Sequence, residues 1–422
     1  MLTPLADGQP LAPQPAETAT DRLSNLRICR IVPDYPVAGN ASYGLQPVFY
    51  YLSREQVRLG HEVHVLTRRN KGQPAYEVYD GVVVHRVEGS FTLNAVRLLR
   101  DLTDTGMDSV VHTHSTSGLF MSGIRRVSRR SPLISHVHGT TRSPFAPMTL
   151  RFGSAVLDYS PLKVTTSYLR EKALWSSADG VAAVSKVVKR DLISYYGLRP
   201  EKIAVTYNGI DATLFRPRAD GEIPNMPALK GKRVVLYVGH FGLRKGIVHL
   251  LGAMKRVTRE VPDAVLVCIG GVPDWLGKTE YWKHLDSLIK GSELSDKVFM
   301  LDRVPNSTLP AYYSACSVFV LPSYYEAFAK VVLEAMGCGK PVITSTDGGP
   351  SEAVANGKKP AGILVPYGSE ERLADALITL LQDERLAKEM GRNGRERIEK
   401  DFTWPIVAGR IDSMYRAALN KS

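Results

Sequence analysis

Two carboxylates, Glu326 and Glu334, stand eight residues apart in the stretch PSYYEAFAKVVLEAMGCGKPVITSTDGGPSE at 322–352. The apolar run Val318 to Leu321 before them reads as a strand, and a helical pattern begins near Ala329. Eight helical steps of ~1.5 Å would separate the carboxylates by about 12 Å. An acid and a base working across one glycosidic bond sit roughly 5 to 9.5 Å apart. The spacing therefore suits hydroxyl-rich groups at opposite ends of one extended ligand. Between the two acids, the backbone N–H groups of Ala329, Lys330 and Val331 fall in a first helical turn, where they lack intrahelical acceptors and favour an anion. Strand, carboxylate-bearing turn, phosphate-ready helix start and second carboxylate together describe a nucleotide-sugar site. The bland alternative is an acidic cap ahead of an amphipathic helix.

Other chemistry-bearing residues are more ambiguous. Gly39 and Gly44 bracket a loop after the run Leu26 to Val32, and Asn40 lies inside it. In an open α/β sheet a loop beyond a strand's carboxyl end is where ligands bind, although most glycine loops are only turns. DSVVHTH at 108–114 and PLISHVHG at 132–139 each end an apolar strand in a His-x-His pair. Alternation puts both histidines of a pair on one face. Two such pairs could hold zinc, but no acidic or cysteine ligand stands at helpful spacing, and no metal is expected.

The 322–352 stretch resembles the E-x7-E region of the retaining glycosyltransferases of family 4. Pro322, Ser323, Glu326, Phe328, Glu334, Ala335, Met336, Gly339, Pro341 and Val342 match its pattern in register, with Ala329 in place of a usual Gly and Lys330 in place of a usual apolar residue. Weaker likenesses follow along 26–420: the Gly39–Gly44 loop, with Asn40 for a second Gly; HEV at 61–63; NGID at 208–211 with Phe215 and Pro217; Lys245–Gly246; and Gly348, Gly349 and Glu352. The resemblance implies an α/β protein of GT-B architecture, two doubly wound Rossmann-like domains facing a central cleft. It implies that Glu326 meets hydroxyls of the transferred sugar, Glu334 the ribose, and His138 the sugar near its reactive carbon. Arg244 and Lys245 would hold the diphosphate, with Ala329, Lys330 and Val331 at the helix start. His240 stands where the family usually has Arg, so either Arg244 supplies the second cation or His240 holds the phosphate with pH-dependent charge. Arg303 and Val304, beside Asp302, would line the base pocket, and Gly39, Asn40 and Phe328 complete the donor set. The family generally uses no metal and no further cofactor, and the expected donor is a UDP- or GDP-sugar.

The elements that must position these groups are legible as alternating strands and helices. At 422 residues and 44% apolar content the chain is long enough for two domains with cores of their own. The expected division is a disordered tail at 1–25, a first, acceptor-binding domain at 26–217, a linker at 218–231 and a nucleotide-sugar domain at 232–403, with a helix at 404–420 crossing back. Cys29, Cys268, Cys316 and Cys338 are scattered, without CxxC spacing, which fits buried thiols in a reducing cytoplasm. No apolar run approaches ~20 residues and no basic-then-apolar leader opens the chain, so a cytoplasmic place is expected.

The net charge of +12 is uneven: residues 26–216 carry 25 Lys+Arg against 15 Asp+Glu. Arg97 and Arg100, then Arg125, Arg126, Arg129 and Arg130, recur at helical spacing. They form a solvated face, or one that meets a phosphorylated acceptor or the inner face of an anionic membrane. Nucleic acid is disfavoured, because no reading motif or interleaved aromatics accompany them. The acceptor is expected to be a small molecule, a glycan or a lipid-linked sugar. Two rivals remain: a GT-B sugar-nucleotide epimerase or hydrolase, revealed by products formed from donor alone, and a noncatalytic nucleotide-sugar-binding protein, which would bind donor without releasing nucleotide. Neither domain opens on G-x-G-x-x-G, which disfavours an oxidoreductase.

Overall fold

The computed structural model describes residues 25–37, 44–88, 91–114, 131–141, 151–152, 155–156, 161–218, 222–272, 278–355 and 359–421. Gly39 and Asn40, Arg125, Arg126, Arg129 and Arg130, and the tail 1–24 lie outside the described residues.

Strands with both faces covered read as near-continuous apolar runs; the second of the two sheets is built from such runs, while buried strands of the first also carry Arg30, His112 and His136. The first holds β1 (Arg27–Ile31), β2 (Glu62–Arg68), β3 (Tyr76–Tyr79), β4 (Val82–Val87), β5 (Ser109–Thr113) and β6 (Leu133–Val137). After a short hairpin, β7 (Arg151–Phe152) and β8 (Ala155–Val156), it gains β9 (Gly180–Ala183) and β10 (Ile203–Val205). Its order is β10-β9-β6-β5-β1-β2-β4-β3, parallel except for the edge strand β3. The second sheet holds β11 (Arg233–Val238), β12 (Ala264–Ile269), β13 (Val298–Leu301), β14 (Val318–Leu321), β15 (Val342–Ser345) and β16 (Gly362–Val365). Its order, β13-β12-β11-β14-β15-β16, is parallel throughout and reverses direction between β11 and β14. These are the two Rossmann-like units expected, and each has the reversal beside which α/β proteins bind ligands.

Twelve helices are described. Those of the first half are α1 (Gln46–Arg58), α2 (Phe91–Thr103), α3 (Pro161–Ser177) and α4 (Lys186–Tyr196). The second half carries α5 (Ile247–Glu260), α6 (Lys278–Lys290), α7 (Leu309–Ala315), α8 (Lys330–Gly337), α9 (Gly349–Ala355), α10 (Glu370–Gln382), α11 (Glu384–Asp401) and α12 (Trp404–Leu419). Local sequence explains several starts: Pro47 opens α1, and the hydroxyl of Ser185 accepts from the Val188 N–H at the head of α4. Helix α12 leaves the second sheet and lays Trp404, Val407, Ile411 and Tyr415 among Ile28, Val48, Leu52 and Val63 of the first. The Tyr415 hydroxyl accepts from Gln56 at 3.1 Å.

The outgoing and returning segments meet where the chain passes between the halves. The Ile210 N–H donates to the Phe402 carbonyl at 2.9 Å, and Ile210 and Thr403 form a parallel bridge. One nitrogen of Arg395 donates to the carbonyls of Ala212, Phe215 and Gly337 at the same seam. All four cysteines are buried and unpaired, and no described helix is long and apolar enough to cross a membrane.

Candidate active site between the two sheets

A cleft of about 530 Å³ opens between the carboxyl ends of the two sheets. From the first half it takes Gly44, Pro47 and Tyr51 and the turn from Gly209 to Asp211; from the second it takes His240, Arg303, Val304, Lys330, Val331 and Glu334. The ends of β11 and β12 come together at its back. A Cβ on Gly270 would stand 2.0 Å from the Gly239 carbonyl oxygen, so only glycine allows these two walls to meet.

The stretch 322–352 builds one wall. Helix α8 starts at Lys330, with Ala329 as an extended N-cap residue. Only the second half of the Glu326–Glu334 interval is therefore helical, and the all-helical separation expected from spacing does not apply. Ala329 lacks a capping side chain, and the first-turn N–H groups of Lys330 and Val331 stand at the cleft. Glu334 accepts a hydrogen bond from the Tyr313 hydroxyl at 2.9 Å. Burial pushes its pKa up, opposed by Lys330 and that hydroxyl; burial pushes the Lys330 pKa down, opposed by Glu334. The Lys330 ammonium also reaches across to the Gly44 carbonyl at 3.0 Å, joining the two halves. That lysine stands where an apolar residue is the family habit, and its reach was not legible from the sequence.

Glu326 lies in the turn before α8 and pairs with Lys245, which follows β11. This turn is held by Gly348 and Gly349: the Gly349 N–H donates to the Glu326 carbonyl at 2.8 Å, and a Cβ on Gly349 would fall 1.9 Å from the Ala327 carbonyl oxygen. Phe328 turns the other way. Its ring is 7% exposed, packed between Tyr207 and Phe402, so it anchors the turn from beneath and does not line the cleft. Arg244 is exposed beside Lys245, and its carbonyl accepts from the Tyr324 N–H at 2.7 Å. Desolvation, then the neighbouring Lys245 charge, pull the pKa of His240 down to about 4. Its ring is neutral at neutral pH, which leaves the positive charge here to Arg244, Lys245, Arg303 and Lys330.

His138 follows β6 and is not among the residues that line the cleft; next to it, the Cβ position of Gly139 lies 3.9 Å from Ala327. His138 Nε2 meets His114 Nδ1 at 2.9 Å. Burial, then the charge of Lys330, lower its pKa to about 3, so it too is neutral. Several lining residues escaped the sequence reading: Tyr51 stacks on Trp404 at 5.9 Å on the cleft floor, and Asn306 and Leu309 lie beside Val304. The one available signal was Gly209, where a Cβ would clash with the Trp404 ring at 2.7 Å.

Glu352 does structural work between the halves. Its carboxylate accepts from the N–H groups of Lys186 and Val187 at 3.0 and 2.9 Å, capping α4 from across the molecule. The Tyr325 hydroxyl adds a bond of 2.7 Å to Asp191 of the same helix.

Residues 221–397 match the family model described as Glycosyl transferases group 1, and residues 43–214 match Glycosyltransferase Family 4. Among curated proteins the chain is 34% identical over 259 residues to alpha-maltose-1-phosphate synthase of Mycolicibacterium smegmatis, a match spanning 58% of this chain and 65% of that one. Among solved structures it resembles sucrose-phosphate synthase from Thermosynechococcus elongatus, with a TM-score of 0.75 and 25% identity over 94% of this chain and 100% of that one. It shares its fold with Anabaena HepE, solved in complex with UDP and glucose, at a TM-score of 0.71 and 18% identity over 93% of this chain and 99% of that one.

Proposed function

The chain belongs to the glycosyltransferases of family 4, and from that premise we propose that it moves a hexose-type sugar from a nucleoside-diphosphate donor to an acceptor hydroxyl with retention of anomeric configuration. The observation that carries the reading is that the Lys245–Glu326 ion pair sits in the turn that leads into α8, whose Lys330, Val331 and Glu334 line the cleft. In this reading Lys245, Arg244 and the helix tip neutralise the diphosphate as negative charge builds on the leaving group. Glu326 takes hydroxyls of the transferred sugar and Glu334 those of the ribose. His138, neutral, offers the sugar a hydrogen bond and no charge.

Retention follows if the acceptor oxygen attacks the anomeric carbon on the face the phosphate leaves. The bond to the phosphate oxygen breaks as the new glycosidic bond forms, and that phosphate oxygen takes the acceptor's proton. UDP is the favoured nucleotide, since HepE holds it on the same fold, with GDP next. The favoured acceptor is a sugar or polyol bearing a phosphate. That class is named by the product of the maltose-1-phosphate synthase and fits the basic excess of residues 26–216.

A panel of UDP-, GDP-, ADP- and dTDP-sugars, read by thermal stabilisation, identifies the donor, because binding raises apparent stability by mass action. Turnover of that donor with phosphorylated and plain hexoses, followed by NMR of the product's anomeric proton, tests acceptor and stereochemistry. An inverted product would overturn the same-face mechanism, and sugar products without acceptor would point to an epimerase or hydrolase.

A further inference from the structure

Behind His138, four imidazoles form a ladder across β5 and β6. His112 stacks on His136 with centroids 5.5 Å apart and planes 9° apart, His114 lies 4.8 Å from His136, and His138 lies 5.2 Å from His114. The sheet causes this: alternation turns His112 and His114 to one side of β5, and the parallel register sets His112 beside Ile134, which brings His136 alongside. Phe49 of α1 and Tyr415 of α12 seal the ladder from above.

A neutral imidazole carries one donor and one acceptor, and both need partners in a dry interior. Here His112, His114 and His136 are only 0, 7 and 3% exposed. Yet Nε2 of His112, Nε2 of His114 and both ring nitrogens of His136 have no partner. One hydroxyl and one ring account for the rest: His112 Nδ1 meets the Tyr415 hydroxyl, and His114 Nδ1 meets His138 Nε2. Apolar residues would fill this space without stranding any polar atom.

We propose that His112, His114 and His136 form a binding site for one late first-row transition-metal ion of the Zn²⁺ class. One nitrogen from each of the three lies within 4.8 Å of the others. Three such atoms must fall within about 2.8 Å of a common centre (4.8 Å divided by √3), and the near-parallel rings must turn out of their stack to aim their lone pairs at that centre and reach the ~2.0–2.1 Å of a Zn–N bond. The contacts of His112 with Tyr415 and of His114 with His138 have the form of the outer-shell partners that orient ligating imidazoles. Three imidazoles leave one tetrahedral position for water. The donor set is all nitrogen, and the buried guanidinium of Arg30 lies beside His112 across β1 and β5. Affinity must then come from nitrogen donation and not from charge, which selects zinc, copper or nickel over magnesium or calcium. With Nε2 of His114 on the ion, its Nδ1–H must donate to His138, which fixes the tautomer of the histidine that follows β6.

The experiment is a titration of the full, untagged, chelator-treated chain with CoCl₂ at neutral pH. We expect the visible d–d bands of four-coordinate cobalt to saturate at one equivalent and to vanish on adding ZnSO₄, and zinc to raise the melting temperature. The bands should be lost in His136→Asn and in His112→Asn and kept in His85→Asn, which alters the separate His64–His85 contact. Sub-stoichiometric or absent binding by the unaltered chain overturns the proposal whether or not the variants fold. Bands that survive in a folded His136→Asn overturn it as well.

Discussion

Glu334 is a carboxylate that burial drives toward its neutral form and that Lys330 holds back. Removing only the cation, in Lys330→Met, leaves Glu334 as a poorly compensated buried charge. The folded-state pKa then climbs further above the unfolded value, so the loss of stability is full at pH 7.5 and shrinks as pH falls toward ~4.3, where the carboxyl protonates in both states. Calorimetry at pH 7.5 and 4.5 reads this directly; an equal deficit at both values would show that Lys330 is not the counter-charge of Glu334. Replacing both residues, as Lys330→Met with Glu334→Gln, should melt close to the parent, because a neutral pair of similar shape avoids the desolvation cost. Catalysis has a different signature. Glu326→Ala and Lys245→Ala are each expected to lower kcat by about 10² or more, the scale for losing a partner of the transition state. Near-normal turnover in both would refute those roles.

Among the elements, the turn from Glu326 to Ala329 depends on α9 more than on its own residues. A methyl group at Gly349 would drive into the Ala327 carbonyl. Gly349→Ala should therefore displace the Glu326 carboxylate and cut turnover nearly as far as Glu326→Ala, at about 1–3 kcal/mol of stability. Full activity in a folded Gly349→Ala would show that the turn is not what positions Glu326. This region also marks what could be read in advance. The E-x7-E spacing, the strand before it and the Lys245 loop are local patterns and were legible. The start of α8 was legible to within one residue, but Ala329 is extended, so the inferred carboxylate geometry was not. The inward turn of Phe328 depends on Tyr207 and Phe402, one distant in the chain and the other from the return crossing. The histidine trio depends on the register of β5 against β6. The packing of Phe328 leaves no signal in local spacing; each His-x-His pair does, and only the meeting of the two pairs across the strands does not.

For the whole molecule, three polar contacts bridge the halves beside the apolar seam of Tyr207, Phe328 and Phe402: Glu352 on the head of α4, Tyr325 on Asp191, and Lys330 on Gly44. A side-chain cap of this kind is worth about 1 kcal/mol. The double variant Glu352→Ala with Tyr325→Phe should thus leave the melting temperature nearly unchanged, raise the donor KM, and enlarge the radius of gyration in small-angle scattering. An unchanged KM and radius would mean that these contacts do not hold the cleft shut. The side-by-side passage of Ile210 and Thr403 has a mechanical consequence. Two backbone threads bonded to each other act as the spine of a book, so the covers can turn about that line but cannot easily slide or twist past it. The fore-edge, bridged by Lys330 and Gly44, is then the side free to open to substrate. Gly209, Ile210 and Trp404, close to the spine, keep their mutual grip through every turn of the page.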